Sequence, residues 1–325
     1  MPEPLRWGVA GPGSIAGTMA TALGKLDDAE VVAVGSRSPE RAAAFAERHG
    51  IRRAHGTYDD LFADPDFDIV YVATPHSAHC EMTTAALEAG KHVLCEKAFA
   101  LNAAEARQMA ATARRCGRFL MEGMWTWFLP PIIEMQRRID AGEIGDVRVI
   151  QANFGFALPG ETGRHRELAL AGGALLDLGV YPLALTRLLL GPPDTIRAVG
   201  HLGPTDVDVN LGIVLGHPNG AVGVLHAGLD AYTSLTAEID GTAGIITLAP
   251  PFWGTEELTV NRHDGKPETV AGRHDGLAHE AAHVMARIRA GHLESDVLPL
   301  DTTVSMMETL DEIRAQIGMR YPVDP

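Results

Sequence analysis

The sequence predicts an α/β protein in two parts: an N-terminal doubly wound parallel sheet, followed by an α+β domain with a large, mostly antiparallel open sheet. Three observations support this prediction. Short apolar strands alternate with helical segments up to about residue 124, a glycine-rich turn follows the first strand, and later segments alternate apolar and polar residues with a period of two. Because 325 residues are enough for two hydrophobic cores, we predict one domain over residues 1–124 and a second over residues 125–325.

The first strand and the turn after it carry the clearest motif. Residues 5–10 are typical of a buried strand, and residues 11–16, Gly-Pro-Gly-Ser-Ile-Ala, form a GxGxxA variant of the Rossmann dinucleotide fingerprint before a helix over 13–25. Gly11 can adopt the positive φ of a tight turn, Gly13 lets a pyrophosphate approach, and the helix start attracts an anion. An ordinary tight loop has a similar sequence, but the position after a first strand favours a nucleotide site. The residues predicted to contact the cofactor here are Gly11, Gly13, Ser14 and Ile15.

The end of the second strand, predicted over residues 29–35, distinguishes NAD from NADP. An acidic residue there would accept the ribose 2′-hydroxyl and repel a 2′-phosphate. This chain has Ser36 and Arg37 instead, followed by a helix from Pro39 to about Gly50. A solvated surface arginine is the alternative interpretation, but together with the glycine turn the hydroxyl and guanidinium favour NADP(H) over NAD(H).

Three further strands are predicted over residues 68–73, 91–95 and 118–121, with helices up to residue 88 and over residues 102–116. The carboxyl ends of parallel strands meet at one edge of a sheet, where doubly wound folds bind ligands. Residues after two of these strands should therefore line a crevice with the glycine turn. They are Thr74, Pro75, His76, His79, Glu96 and Lys97.

The second domain is predicted from a change in pattern. Its clearest strand has apolar residues at alternate positions over residues 207–215. The other predicted strands are 146–156, 221–229, 233–240 and 244–248, and the predicted helices are 129–141, 175–190, 276–290 and 302–317. One face of this sheet is expected to be apolar and available for assembly.

Composition and charge restrict the class of protein. The chain has 27 basic and 42 acidic side chains, and its net charge of −15 argues against nucleic-acid or anionic-membrane partners. No apolar run is expected to span a bilayer, and residues 1–4, Met-Pro-Glu-Pro, lack the features of a signal peptide. The three cysteines, Cys80, Cys95 and Cys116, form no CxxC pair and are typical of reduced thiols. We therefore expect a cytoplasmic protein.

Three side chains are candidates for proton transfer. Lys97 follows a strand at the expected ligand edge, where its ammonium would donate to a substrate oxygen or favour the ionised form of a neighbouring acid. Asp177 and Tyr181 are four residues apart and share one face of an α-helix. Tyrosine, with an ordinary pKa of about 10, is a poor base unless a nearby positive charge favours its phenolate. An exposed loop lysine, a helix cap and a core tyrosine are the alternative interpretations.

A competing motif is His279-Glu280-Ala281-Ala282-His283, which matches the HExxH signature of zinc proteases in a predicted helix. Glu294 or Glu308 would be the third ligand. Because a pattern with three fixed positions arises easily by chance, we predict no metal site and keep zinc hydrolysis as a remote alternative.

Four motifs in this order resemble the Gfo/Idh/MocA oxidoreductase family, in particular its branch of dimeric dihydrodiol dehydrogenases and NADP-dependent D-xylose dehydrogenases. They are residues 11–16, Glu96-Lys97, residues 121–126 (Met-Glu-Gly-Met-Trp-Thr) and residues 172–181 (Gly-Gly-Ala-Leu-Leu-Asp-Leu-Gly-Val-Tyr). The similarity extends from about Leu5 to Tyr321.

The resemblance implies an NADP(H)-dependent enzyme that transfers a hydride between the nicotinamide and a sugar-like hydroxyl or carbonyl carbon. It implies that Lys97 is the catalytic lysine of the family's Glu-Lys-Pro motif, although Ala98 replaces the proline here. Tyr181 would be the general acid/base, Asp177 its orienting partner, and Trp125 part of the substrate wall. The resemblance also implies a homodimer or a dimer of dimers. A ketoreductase for nucleotide-linked sugars and a non-catalytic cofactor-binding regulator remain alternatives.

Overall fold

The structure is a computed structural model that describes residues 3–158, 160, 163–263 and 265–324. The chain divides into two compact units, Met1–Trp125 with Asp275–Val304, and Thr126–His274 with Ser305–Pro325. Residues 275–304, which the sequence-based division assigned to the second domain, therefore pack within the first unit. The functional division into 1–124 and 125–325 stays a prediction.

The first unit contains a parallel sheet of six strands in the order β3-β2-β1-β4-β5-β6. The strands are β1 (Leu5–Ala10), β2 (Ala29–Gly35), β3 (Arg53–His55), β4 (Ile69–Val72), β5 (His92–Glu96) and β6 (Leu120–Gly123). Its helices up to residue 116 are α1 (Ser14–Leu23), α2 (Pro39–His49), α3 (Tyr58–Ala63), α4 (His79–Glu88) and α5 (Ala103–Cys116). The order reverses between β1 and β4, so the doubly wound sheet predicted from the sequence is confirmed.

Local sequence signals explain where two of these helices begin. The Ser38 hydroxyl accepts the Arg41 N–H at 3.3 Å, with Pro39 in the first helical position of α2. The Asn102 side chain accepts the Glu105 N–H at 2.9 Å at the start of α5. Both starts agree with the sequence prediction, because both depend on residues adjacent in the chain.

The second unit contains an eight-stranded sheet in the order β14-β13-β12-β11-β7-β10-β9-β8, in which only β7 and β10 pair in parallel. The strands are β7 (Val147–Gly155), β8 (Thr195–Leu202), β9 (Asp208–Gly216), β10 (Val222–Gly228), β11 (Ala237–Gly241), β12 (Gly244–Leu248), β13 (Glu257–Arg262) and β14 (Glu268–Ala271). The large, mostly antiparallel sheet of the prediction is confirmed. Three of its strands, β8, β13 and β14, were not predicted.

The remaining helices are α6 (Pro130–Asp140) and α7 (Val180–Leu190) in the second unit, α8 (Ala278–Arg289) in the first, and α9 (Leu300–Ile317), which belongs to the second unit from Ser305 onward. One helical run, Leu168–Leu190, is long and apolar enough to cross a membrane by length and composition, which corrects the expectation that no such run exists. Because 83% of its most apolar window is buried inside the protein, it has the character of a core helix. The three cysteines are free thiols, as expected.

Candidate active site

The glycine turn after β1 has the geometry that a dinucleotide needs. Gly11 has φ 97°, and a Cβ there would lie 2.9 Å from the Ala73 carbonyl oxygen, so only glycine fits this turn. A Cβ at Gly13 would meet only that oxygen, at 4.0 Å, which leaves open space before the start of α1. No side chain caps α1, and Ser14 and Ile15 are exposed there. The turn therefore fits the pyrophosphate of a dinucleotide.

Two arginines lie near the end of β2. Arg37 is exposed, while Ser36 is buried and accepts the Ser38 N–H at 3.1 Å. Burial raises the pKa of Tyr58, and the charges of Arg37 and Arg41 oppose that rise. Sequence reasoning did not single out Arg41, which lies in the first turn of α2.

The segment after β4 approaches both the glycine turn and the segment after β5. A Cβ at Gly11 would lie 3.1 Å from the Thr74 nitrogen, and the buried Thr74 hydroxyl has no hydrogen-bond partner among the described residues. Pro75 precedes a short 3₁₀ turn, His76–Ala78. An unpartnered buried hydroxyl beside the glycine turn is consistent with a polar ligand at this edge of the sheet.

Two histidines hold the segment that contains Lys97. The His79 ring is fully buried, with Nδ1 2.9 Å from the Ala98 carbonyl oxygen and Nε2 3.0 Å from the Thr74 carbonyl oxygen. Burial lowers the pKa of His79 to about 4, so the ring is neutral at pH 7 and its single N–H donates to one of these two oxygens. His76 Nε2 lies 3.2 Å from the Lys97 carbonyl oxygen. Cofactor contact by His76 and His79 stays a prediction, whereas the contacts described here join two strand ends.

Two carboxyl groups hold the same segment from the other side. The Lys97 N–H donates to Glu96 Oε2 at 3.2 Å, and Glu96 Oε1 accepts a short hydrogen bond from the Tyr71 hydroxyl. The Phe99 N–H donates to Glu122 Oε1 at 3.2 Å. The Lys97–Ala98 peptide bond is cis. Four side chains thus fix the backbone of residues 97–99, which sets the position from which the half-buried Lys97 side chain extends.

The HExxH motif does not form a metal centre in the described residues, where no group of three metal-ligating side chains is arranged to hold an ion. His279 Nε2 accepts the Asp275 N–H at 3.2 Å, and His283 Nε2 pairs with the Ser295 hydroxyl at 2.8 Å. Glu280 is fully buried, and burial and the charges of Glu96 and Glu122 raise its pKa far above the ordinary range. A neutral, inward-facing Glu280 gives no support to zinc hydrolysis.

In the second unit, Asp177 lies in a π-helical turn, Leu175–Gly179, that leads directly into α7. Its buried carboxylate forms an ion pair with Arg164 Nη2 at 3.4 Å and lies 2.6 Å from His165 Nδ1. The sequence predicted an α-helix here and missed both partners, which lie upstream in a short 3₁₀ turn, Arg164–Arg166. No local spacing could have revealed them.

Tyr181, in the first turn of α7, belongs to an aromatic cluster. Its buried ring lies 5.6 Å from the Phe154 ring and 6.1 Å from the Trp253 ring, measured between centroids. Phe154 and Trp253 stack at 3.5 Å with an interplanar angle of 8°. Sequence reasoning missed both rings. The sequence analysis predicted Trp125 as part of the substrate wall. Trp125 lies half-buried in the first unit, two residues after β6.

Comparisons with known proteins agree with this architecture. A family model described as "Oxidoreductase family, NAD-binding Rossmann fold" matches residues 5–124, and "GFO/IDH/MocA C-terminal domain" matches residues 132–247. The chain is 38% identical to trans-1,2-dihydrobenzene-1,2-diol dehydrogenase from Bos taurus and 37% identical to that from Homo sapiens, in each case over 98% of this chain and 99% of the relative.

Solved structures give the same result. A 3-ketoreductase from Actinomadura kijaniata, in complex with NADP and TDP-benzene, superposes with a TM-score of 0.88 at 29% identity, covering 97% of this chain and 98% of that one. An aldose–aldose oxidoreductase from Caulobacter crescentus, complexed with glycerol, superposes with a TM-score of 0.88 at 26% identity and 97% coverage of both chains.

Proposed function

We propose that this chain, which belongs to the Gfo/Idh/MocA oxidoreductase family, transfers a hydride between NADP(H) and a sugar-like hydroxyl or carbonyl carbon. The family makes it an NAD(P)-binding oxidoreductase. The main support for the proposed reaction is the position of Lys97. Four side chains hold the backbone of residues 97–99 at the carboxyl edge of the parallel sheet. A lysine on so constrained a backbone has a defined position relative to a ligand at that edge.

The roles of the side chains follow from their chemistry. The dinucleotide, when bound, supplies or accepts the hydride. Tyr181 exchanges the proton on the substrate oxygen, and Lys97 favours its phenolate by positive charge. Asp177, held by His165, orients the tyrosine or a substrate hydroxyl. Gly11, Gly13, Ser14, Ile15, Thr74, Pro75 and Glu96 line the cofactor side of this proposed site.

The stacked Phe154–Trp253 pair beside Tyr181 supports a substrate with a flat apolar face. Sugar rings and cyclic diols both present such a face, and the matched proteins include a dihydrodiol dehydrogenase, an aldose–aldose oxidoreductase and a 3-ketoreductase complexed with TDP-benzene. A 3-keto sugar linked to a nucleotide is therefore the second candidate substrate.

We expect turnover with NADP(H) in preference to NAD(H), because Ser36 and Arg37 follow β2 at the position where an acidic side chain would repel a 2′-phosphate. A panel of aldoses, ketoses, a trans-dihydrodiol and a TDP-linked keto sugar, assayed by nicotinamide absorbance with both cofactors, tests the activity. Arg37→Ala should raise the Kd for NADP⁺ about 10- to 100-fold, since a charge-assisted hydrogen bond contributes about 1.5–3 kcal/mol. Its affinity for NAD⁺ should stay unchanged.

The control is Arg52→Ala, which removes an exposed arginine paired with Glu30 at 2.6 Å. Equal or tighter binding of NAD⁺ by the unmodified protein would contradict the cofactor preference. Absence of turnover across the whole panel with either cofactor would contradict the substrate class.

A homodimer or a dimer of dimers is proposed from the exposed face of β8–β10. Val214 and Val224 lie directly opposite each other on neighbouring strands, 46% and 44% exposed, and Val199 on β8 is 81% exposed. Light scattering at micromolar concentration should give at least twice the chain mass of 34.7 kDa. Val214→Glu with Val224→Glu should yield monomers, whereas Val323→Glu, elsewhere on the surface, should not. A monomeric unmodified protein would rule this assembly out.

A further inference from the structure

The C-terminal segment contacts the turn that precedes Asp177. Tyr321 is 3% exposed, and its hydroxyl donates to the Gly172 carbonyl oxygen at 2.9 Å. Its ring lies under the Arg314 guanidinium at 4.7 Å, and its N–H donates to Asp324 Oδ2 at 2.8 Å. Arg314 also donates to Asp324 at 2.5 Å. The hydroxyl, the ring and the backbone N–H of Tyr321 are therefore each held by a contact. No local sequence pattern connects Tyr321 with residue 172.

The other side of the same turn is held by Asp208, the first residue of β9. Its carboxyl group is fully buried, and Oδ2 accepts the Leu175 N–H at 2.6 Å. Gly173, one of the two residues between these contacts, has φ 129°, and a Cβ there would overlap the Asp208 carboxylate and lie 3.5 Å from the Tyr321 hydroxyl. The turn is thus packed against the Asp208 carboxylate too closely for any residue other than glycine, with the Tyr321 hydroxyl in ordinary contact on the same side.

These contacts fix the backbone at residues 172 and 175, immediately before Asp177. The π-helical turn begins at Leu175, so the N–H that Asp208 accepts belongs to its first residue. A displacement of this turn would move Asp177 and then Tyr181, and a misplacement of about 1 Å can cost about 100-fold in rate.

We propose that Asp208 and Tyr321 are positioning residues for Asp177 and Tyr181. The inference rests on the proposed catalytic roles of Asp177 and Tyr181. Neither positioning residue is assigned contact with substrate or cofactor: each acts only through the turn at residues 172–175. Their removal should therefore change the chemical step and leave cofactor affinity unchanged, because the glycine turn that would bind the dinucleotide lies in the other unit.

Tyr321→Phe removes one hydroxyl and keeps the ring under Arg314. We expect kcat to fall about 10- to 100-fold, with an unchanged Kd for NADP⁺ and a shifted pH at half-maximal kcat. Asp208→Asn keeps an oxygen that can accept the Leu175 N–H, so it should retain more activity than Asp208→Ala. If Asp208→Ala does not fold, kcat and its pH profile in Tyr321→Phe and Asp208→Asn, compared with the unmodified protein, still test the positioning role. The matched control is Tyr232→Phe, whose phenol is 78% exposed.

A double-mutant cycle separates positioning from general stability. In an Asp177→Asn background, Tyr321→Phe should cost much less than in the unmodified protein, because its effect passes through Asp177. If Tyr321→Phe lowers kcat by the same factor in both backgrounds, the inference is overturned. It is also overturned if Tyr321→Phe leaves kcat and its pH profile unchanged. If instead Asp177→Asn and Tyr181→Phe themselves leave kcat unchanged, the proposed catalytic roles fail, and the inference fails with them.

Discussion

Tyr181→Phe is expected to lower kcat by about 10²–10⁴-fold, the usual contribution of a general acid/base group. The substitution removes the hydroxyl and keeps the ring, whose contacts with Phe154 and Trp253 stabilise the start of α7. Thermal stability and the Kd for NADP⁺ should therefore remain near those of the unmodified protein. Stopped-flow or steady-state assays on the best substrate of the panel measure the effect, with Tyr232→Phe as the control.

Lys97→Met should have a similar cost, because it removes the positive charge while roughly keeping side-chain length. The double variant should lose less than the product of the two single effects, since groups that act as a unit are not additive. Lys266→Met, at an exposed position, is the matched control. If Tyr181→Phe keeps near-normal kcat while Lys97→Met does not, the tyrosine is a core residue and Lys97 alone remains in the mechanism.

The elements that could be predicted from the sequence are those specified by neighbouring residues. The β1 strand and the glycine turn were identified from adjacent residues, and the structure shows that the turn requires glycine at Gly11, which has φ 97°. The missed strands have weaker local signals. β3 has only three residues, and β8 alternates half-buried and exposed positions without a fully buried side chain. Their strand conformation depends on pairing with β2 and β9.

In the candidate site, too, the sequence predicts some residues and not others. Topology predicts that Thr74 and Lys97 follow strands at one edge of the sheet, and the contacts of His79 with both segments agree with this expectation. The partners that hold these residues could not be predicted, because Glu122 and Phe99 are 23 residues apart in the chain. The same holds for Trp253, which stacks on Phe154 from a distant loop.

Three fully buried carboxyl groups, those of Glu122, Asp208 and Glu280, make stability depend on pH. Burial raises the pKa of Glu122 to about 7, with a further rise from the charge of Glu96, and burial raises the pKa of Asp208 to about 7. Both values lie above those of the unfolded chain, where these groups ionise near pH 4. Between about pH 4 and 7 the folded state therefore keeps protons that the unfolded state has lost, so the free energy of unfolding falls as pH rises. His79, whose pKa is lowered to about 4, opposes this trend below about pH 6.5.

Glu122→Gln isolates one of these contributions, because glutamine keeps an oxygen for the Phe99 N–H and stays neutral at every pH. Moving the pKa of Glu122 from 4.5 to about 7 corresponds to about 3 kcal/mol. Relative to the unmodified protein, the variant should therefore gain up to about 3 kcal/mol in the free energy of unfolding between pH 4 and pH 8. Urea unfolding at several pH values measures this difference, from which the His79 contribution cancels because both proteins contain it.

Glu47→Gln, at an exposed position, should show no such change. Parallel stability curves for Glu122→Gln and the unmodified protein would mean that folding does not raise the pKa of Glu122, and would contradict this prediction.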